Sequence, residues 1–318
     1  MTTPTFQVFQ TVLAFAMVVL LCVLLKRLSI VKEEHGSVFA KLLTQAALPV
    51  VIFTKLATNP IQRGQWLAVL SIFLASIACM GLAWAAGKLM KLERPKIGAL
   101  IMVSSFGSST LIGYPLIQYA FPNNPQAMSD AILISEIGVG LPIFVLGVAV
   151  AMYFGEQSND AAFGKKVLLG YLRSPIFISI VAGLLVSRWH IDPQQPFLAP
   201  FLEASHMVEG SITILACLIL GIQLSFRSSR GLVWLVIVSA SLEMLLLPYL
   251  TSLQAALFHL SLEQRQVLVL EAAMPSAVLN SVFATQYKCD GATTSALVFI
   301  NGLLSVLTLP LVFYLLGN

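Results

Sequence analysis

The sequence predicts an all-α membrane protein: ten transmembrane helices in two inverted five-helix repeats, with broken helices 4 and 9 that cross. Three observations predict it. The 318 residues are 58% hydrophobic and only 10% charged, where a soluble domain carries about 25% charge. Apolar runs of about 20 residues, long enough to cross a bilayer, recur along the whole chain. Two of those runs are interrupted at mid-span by proline, glycine and hydroxyl side chains. Paired interruptions of this kind mark a binding site between two halves of a membrane protein.

Ten apolar segments follow one another: Phe6–Leu25, Ser37–Ala57, Trp66–Gly87, Ile97–Ala120, Ala127–Phe154, Lys165–Val186, Ala204–Leu224, Leu232–Phe258, Val267–Tyr287 and Ala292–Leu316. Met1 to Thr5 hold no basic region, and no small-residue cleavage site with a polar continuation follows. Phe6–Leu25 is therefore expected to stay as the first span. The connections are short and polar, and none would hold a soluble domain. The connection Gly155–Gly164 divides the chain into a first repeat, residues 1–154, a cytoplasmic linker, 155–164, and a second, inverted repeat, 165–318.

Loop charge sets the orientation. The loops after segments 1, 3, 5, 7 and 9 carry twelve basic residues: Lys26, Arg27, Lys32, Lys88, Lys91, Arg94, Lys96, Lys165, Lys166, Arg227, Arg230 and Lys288. The opposite side carries three, Arg63, Arg188 and Arg265. Basic loops stay cytoplasmic, so both termini are expected outside a cytoplasmic (inner) membrane. Five spans per half then turn the second half upside down. The net charge of +4 sits in short loops rather than on one face, so no nucleic-acid partner is expected.

The two halves show a weak likeness. Laying Ala131 on Ala296 brings Glu136 onto Asn301. Each lies roughly nine residues into its span, at about 1.5 Å per residue near the middle of a core about 30 Å thick.

The chemistry gathers at the two interruptions. The stretch Ser104–Pro115 holds five serine or threonine hydroxyls, Gly107, Gly113 and Pro115 inside an apolar run. Glu271–Ser281 holds Pro275, Ser276, Asn280 and Ser281. The glycine and proline place the first break near Gly113 and Pro115. A broken helix exposes amides at one end and carbonyls at the other. The amide end suits a carboxylate and the carbonyl end a cation. Ser108, Ser109, Gly113, Pro115, Pro275, Ser276, Asn280 and Ser281 are thus candidate substrate-binding residues, with Thr110 beside them. The competing reading is a proline kink with serines bonded back to their own helix.

Glu136, Asn301 and Glu243 are candidates for ion or proton coupling, because a carboxylate at mid-membrane costs at least about 2.5 kcal/mol. Glu243 shows no evident partner in the sequence. Glu209 and Glu271 fall nearer the outer ends of their spans, where they would reach water. Lys41, Lys55 and Arg173 are expected to snorkel to the interface. Cys22, Cys79, Cys217 and Cys289 are scattered and suggest neither a disulfide framework nor a metal cluster. The four histidines are far apart, and no phosphate-binding glycine loop is present. An enzyme is not indicated and no cofactor is expected, leaving Na+ or H+ as the coupling ion of any uphill movement.

Several stretches together resemble the auxin efflux carrier family, which includes bacterial malate permeases and the plant PIN-formed carriers. They are Ala47-Leu-Pro-Val-Val-Ile-Phe, Leu111-Ile-Gly-Tyr-Pro-Leu, Ala272-Ala-Met-Pro-Ser-Ala-Val-Leu-Asn with Ala284-Thr-Gln-Tyr, and Leu304-Ser-Val-Leu-Thr-Leu-Pro-Leu. Ser108 stands where similar proteins often carry Asn. The resemblance implies a secondary carrier that moves a small organic anion, such as a dicarboxylate or an auxin-like carboxylate, by alternating access. It also implies a fold shared with sodium–bile acid symporters. A homodimer in the lipid bilayer is compatible with it. The alternatives are a passive channel for small solutes and a sodium-coupled symporter of a bile-acid-like or other amphipathic acid.

Overall fold

The computed structural model describes residues 4–32, 34–59, 63–122, 124–155, 169–170, 172–188, 198–223 and 232–316. Most of the linker 155–164 and the basic residues Lys165, Lys166, Arg227 and Arg230 lie outside the described residues.

The described elements are helical. They run α1 (Pro4–Arg27), α2 (His35–Leu42), α3 (Leu48–Thr58), α4 (Arg63–Leu89), α5 (Arg94–Val103), α6 (Tyr114–Ala120), α7 (Pro125–Leu133) and α8 (Val148–Phe154). Then come α9 (Pro175–Ser187), α10 (Ala199–Gln223), α11 (Val233–Ala240), α12 (Leu247–Leu257), α13 (Leu262–Ala272), α14 (Val278–Gln286) and α15 (Gly291–Leu316). Local sequence sets several starts. Asn124 accepts from the amides of Gln126 and Ala127 at the head of α7, and Ser174 caps α9. Ser261 and Gln264 form a reciprocal capping box on α13.

Among the described residues, six stretches are long and apolar enough to cross a membrane: Phe9–Arg27, Arg63–Leu89, Gln126–Phe154, Ala199–Ile219, Val233–Leu257 and Gly291–Leu316. Leu43–Thr58 and Pro175–Ser187 are shorter apolar helices. Large apolar side chains point outward on several of them; Met17, Leu20, Trp234 and Leu307 are 63%, 64%, 70% and 75% exposed. In water such faces would drive aggregation, whereas in hydrocarbon they are solvated.

Prolines explain the widened turns in these helices. Wider π-helical turns occur at Leu43–Ala47, Ser109–Gly113, Ile134–Gly140, Ile143–Gly147 and Ser241–Leu246. Four of these end two residues before a proline: Pro49, Pro115, Pro142 and Pro248. A proline ring clashes with the carbonyl four residues earlier and has no amide to offer it. Widening the preceding turn moves that carbonyl aside and lets the helix continue. Pro310 sits inside α15 with no such turn.

This corrects the predicted position of the first break. Helix runs from Ser109 through Gly113 and Pro115 to Ala120. The interruption lies earlier, between the end of α5 at Val103 and Ser108. Ser-Ser-Phe-Gly-Ser is the cause: serines bond locally in competition with the helix, and Gly107 holds the backbone loosely. The second break, between Ala272 and Val278, surrounds Pro275 as predicted.

Two sets of helices pack among themselves. The helices α1, α2, α3, α9 and α10 form one set, and α4–α8 with α11–α15 form the other, which encloses both breaks. The sets meet where α1 lies along α6 and α15 and where α3 lies along α7. The four cysteines are free and buried, consistent with packing.

Candidate functional site: two interrupted helices that cross

The breaks meet as a short antiparallel bridge between Gly107 and Ser276. The amide of Ser108 donates to the carbonyl of Pro275 at 2.6 Å, and the amide of Ala277 donates to Phe106 at 2.9 Å. The Asn280 side-chain amide adds a third bond to the Phe106 carbonyl at 3.0 Å. In hydrocarbon an unpaired backbone group costs several kcal/mol, so each break supplies what the other lacks. Gly107 is needed for the approach: a Cβ there would lie 2.9 Å from the Met274 carbonyl oxygen.

Two carboxyl clusters flank this bridge. On one side, Glu136 lies in the widened turn after α7 and accepts from Thr110 Oγ1 at 3.0 Å and Tyr114 Oη at 2.8 Å. Ser135 sits 3.3 Å from Thr110. The Glu271 carboxyl presses against the widened turn Ser109–Gly113 that bears Thr110, so closely that a Cβ on Gly113 would stand 2.6 Å from its Oε1. The Ser109 hydroxyl lies beside Glu271 without a formed hydrogen bond. On the other side, Glu243 lies in the widened turn after α11. It meets Ser276 Oγ at 2.7 and 2.8 Å and accepts from Asn301 Nδ2 at 3.0 Å. Asn301 also donates to Ser239.

The sequence candidates therefore divide. Ser108, Ser109, Pro275, Ser276 and Asn280 gather at the bridge. Glu136 and Asn301, equivalent by sequence register, have different partners. Ser281 lies in α14 and donates back to Val278, as the proline-kink reading expects. Pro115 lies in α6, past the bridge. Glu243 gains the partners that its sequence did not reveal. Glu271 is corrected outright: it is 1% exposed and lies in the last turn of α13 at the break, because that half-helix ends inside the protein. Its position four residues before Pro275 was the available signal. Lys55 is also corrected, since it pairs with Glu209 at 2.9 Å.

Several polar atoms at the crossing are buried with no hydrogen-bond partner: the hydroxyls of Ser104, Ser105 and Ser109, both oxygens of Glu271, and Oδ1 of Asn280. Such groups are rare in native interiors because each forfeits its hydration. Among the described residues no group of three or more His, Cys, Asp or Glu forms a metal site.

Among the described residues, helices with six membrane-length apolar stretches, and with unsatisfied polar atoms where two interrupted helices cross, make an integral, multi-pass membrane protein. It belongs to the family described as membrane transport protein, the auxin efflux carrier family its motifs resemble, which matches residues 7–313. It is 26% identical to an uncharacterized transporter of Methanocaldococcus jannaschii over 315 residues, covering 97% of this chain and 99% of the relative. It is 24% identical to an uncharacterized transporter of Methanothermobacter thermautotrophicus over 309 residues, covering 95% and 96%.

Proposed function

We propose that the protein is a secondary carrier that moves a small organic anion, of the dicarboxylate or auxin-like class, across the cytoplasmic membrane. The observation that carries this reading is the set of unpartnered buried polar atoms around the Gly107–Ser276 bridge. Two half-helices also begin there, at Ser109 and Val278, and their first amides have no partner within their own helices. A carboxylate placed there would receive amides and hydroxyls in exchange for water. The α14 start is the more open of the two, because Glu136 and Glu271 already lie against the turn that begins at Ser109.

Two buried carboxyls, Glu243 and Glu271, cannot stay charged and unpaired beside an anionic cargo. Glu243 and Glu271 have no ion-pair partner among the described residues. The cargo therefore travels with a neutralising proton or cation. In this reading the chain comprises ten spans in two inverted repeats, residues 1–154 and 165–318. The set enclosing the crossing moves against the set built on α1, α3 and α10. The positive-inside bias supports both termini outside. Cysteines placed at positions 3 and 91 test this with an impermeant reagent on intact cells: position 3 is expected to label and position 91 to stay protected. The reverse pattern would sink the inverted repeat.

A thermal-shift screen against organic acids, with and without sodium, tests the cargo class, since a ligand stabilises by RT ln(1 + [L]/Kd). On the acid that shifts the protein most, Asn280→Ala is expected to weaken binding about 10- to 150-fold. That range corresponds to about 1.5–3 kcal/mol for a bond to a charged ligand. The empty protein should change little, because the Phe106 carbonyl keeps the Ala277 amide. Ser108→Ala should act in the same direction but more weakly. Near-normal affinity with a large loss of stability would make Asn280 only a tie between the breaks.

A further inference from the structure

The Glu243 cluster contains one hydrogen fewer than its contacts require if the carboxyl is ionised. Ser276 Oγ lies 2.6 Å from the Val103 carbonyl oxygen and 2.7 and 2.8 Å from the two Glu243 oxygens. The two shortest contacts, at 2.6 and 2.7 Å, each need a hydrogen between the oxygens. A serine hydroxyl has one hydrogen to give, and a carbonyl has none. If Ser276 donates to Val103, the hydrogen between Ser276 and Glu243 must come from Glu243. If Ser276 donates to an ionised Glu243 instead, the Val103 carbonyl faces a lone pair at 2.6 Å. The second arrangement is repulsive; the first puts a hydrogen into the two shortest contacts, 2.6 and 2.7 Å, and leaves Oε2 at 2.8 Å as the other oxygen of the same acid. Asn301 Nδ2 then fills Oε2 at 3.0 Å, which leaves Oε1 as the protonated oxygen.

We propose that Glu243 is a proton-binding site whose proton holds the two broken helices together, so that the carrier is coupled to protons through this residue. The hydrogen-bonded chain runs from Glu243 in the turn after α11, through Ser276 in the second break, to Val103 at the end of α5 before the first. It joins three elements at the crossing. When the proton leaves to water on the side to which the crossing opens, Ser276 turns its hydrogen to the carboxylate and the Val103 carbonyl loses its donor. The crossing is then weakened at the point any movement of the breaks must pass. This deepens the carrier reading above by naming its coupling ion and rests on that reading for the transport arm alone.

The surroundings suit a group that carries charge only transiently. From α4 the Cys79 thiol faces it, donating to the neighbouring Leu242 carbonyl at 3.6 Å. From α15 and α11 come Asn301 and Ser239, and from the second break Ser276, none of which titrates in the ordinary range. Glu243 is in none of the ion pairs among the described residues, and the partners it has, Ser276 and Asn301, are uncharged. A permanent carboxylate there would lack a counter-charge, whereas a carboxylic acid needs none.

The test begins with the purified protein in detergent, without any cargo. Infrared spectra at pH 7.5 should contain the carbonyl stretch of a protonated carboxylic acid that is absent from Glu243→Gln. Ser276→Ala should shift that band, because it removes the acceptor of the acid hydrogen; this variant serves if Glu243→Gln does not fold. Glutamine donates to Ser276 as the acid does and so imitates the protonated state. In liposomes loaded with a pH-sensitive dye, malate and indole-3-acetate serve as the probe acids. The wild type should acidify or alkalinise the lumen with uptake. Glu243→Gln should exchange labelled for unlabelled acid with no pH change. Identical infrared bands in wild type and Glu243→Gln, with no shift in Ser276→Ala, would overturn the proton site. The predicted bands with no movement of either acid would leave the site standing and count against the cargo class.

Discussion

Lys55→Met is expected to destabilise the protein by about 3 kcal/mol, the lower end of the range for breaking a buried ion pair. Lys55 Nζ lies 2.9 Å from Glu209 Oε2, and the two side chains are 14% and 9% exposed. The pair joins α3 to α10 within the set of helices that would serve as scaffold. Removing the lysine strands a carboxylate in an apolar surrounding. His206 Nδ1, 3.4 Å from the same oxygen and 65% exposed, can relieve only part of the loss. This is why the lower end applies. Replacing both partners, Lys55→Met with Glu209→Leu, should recover most of the stability, because the larger penalty is the uncompensated charge rather than the missing attraction. Thermal unfolding of the wild type, both single variants and the double variant in one detergent measures the coupling. A double variant no more stable than Lys55→Met would show that the pair does not act as a unit.

That pair marks the limit of what the sequence could reveal. Hydropathy located six of the ten expected spans as membrane-length helices among the described residues, because length and polarity govern insertion residue by residue. It located the second break, because Pro275 and its polar neighbours coincide. It misplaced the first, because Pro115 is accommodated by the widened turn Ser109–Gly113 while five residues without proline, Ser104–Ser108, form the interruption. Partners across the fold were also invisible. Lys55 and Glu209 are more than 150 positions apart, and Glu243 finds Ser276 and Asn301 only through tertiary packing. One signal in the sequence accompanies all three glutamates at the crossing: each precedes a proline by four to six residues. The pairs are Glu136 with Pro142, Glu243 with Pro248, and Glu271 with Pro275. Proline disturbs the helix one turn earlier, and for Glu136 and Glu243 the disturbed turn is a widened one that turns the carboxyl into the protein interior. Widened turns concentrate at functional sites for this reason.

Two glycine-to-alanine substitutions should separate the architecture of the crossing from its chemistry. At Gly107 the new Cβ would meet the Met274 carbonyl oxygen at 2.9 Å. That atom belongs to the backbone of the opposite break and is fixed by the bonds on either side, Ser108 to Pro275 and Ala277 to Phe106. Gly107→Ala should therefore push the breaks apart at a cost of about 1–3 kcal/mol, as overpacking does, and lower the unfolding temperature. At Gly113 the new Cβ would meet Glu271 Oε1 at 2.6 Å and Oε2 at 2.9 Å. Those atoms end a flexible side chain, which can swing away. Gly113 also lies inside a helical stretch, where alanine gains about 1 kcal/mol over glycine. Gly113→Ala should consequently fold with near-normal stability yet lose at least about tenfold in ligand-induced stabilisation or uptake, because Glu271 no longer sits against the turn bearing Ser109 and Thr110; tenfold is about 1.4 kcal/mol. Glu271→Ala should show a similar defect, and adding Gly113→Ala to it should change little, since the displaced group is already gone. If the two substitutions add fully, Gly113 acts on something other than Glu271. If Gly113→Ala unfolds the protein as readily as Gly107→Ala, the carboxyl is held as rigidly as backbone and belongs to the structure of the crossing.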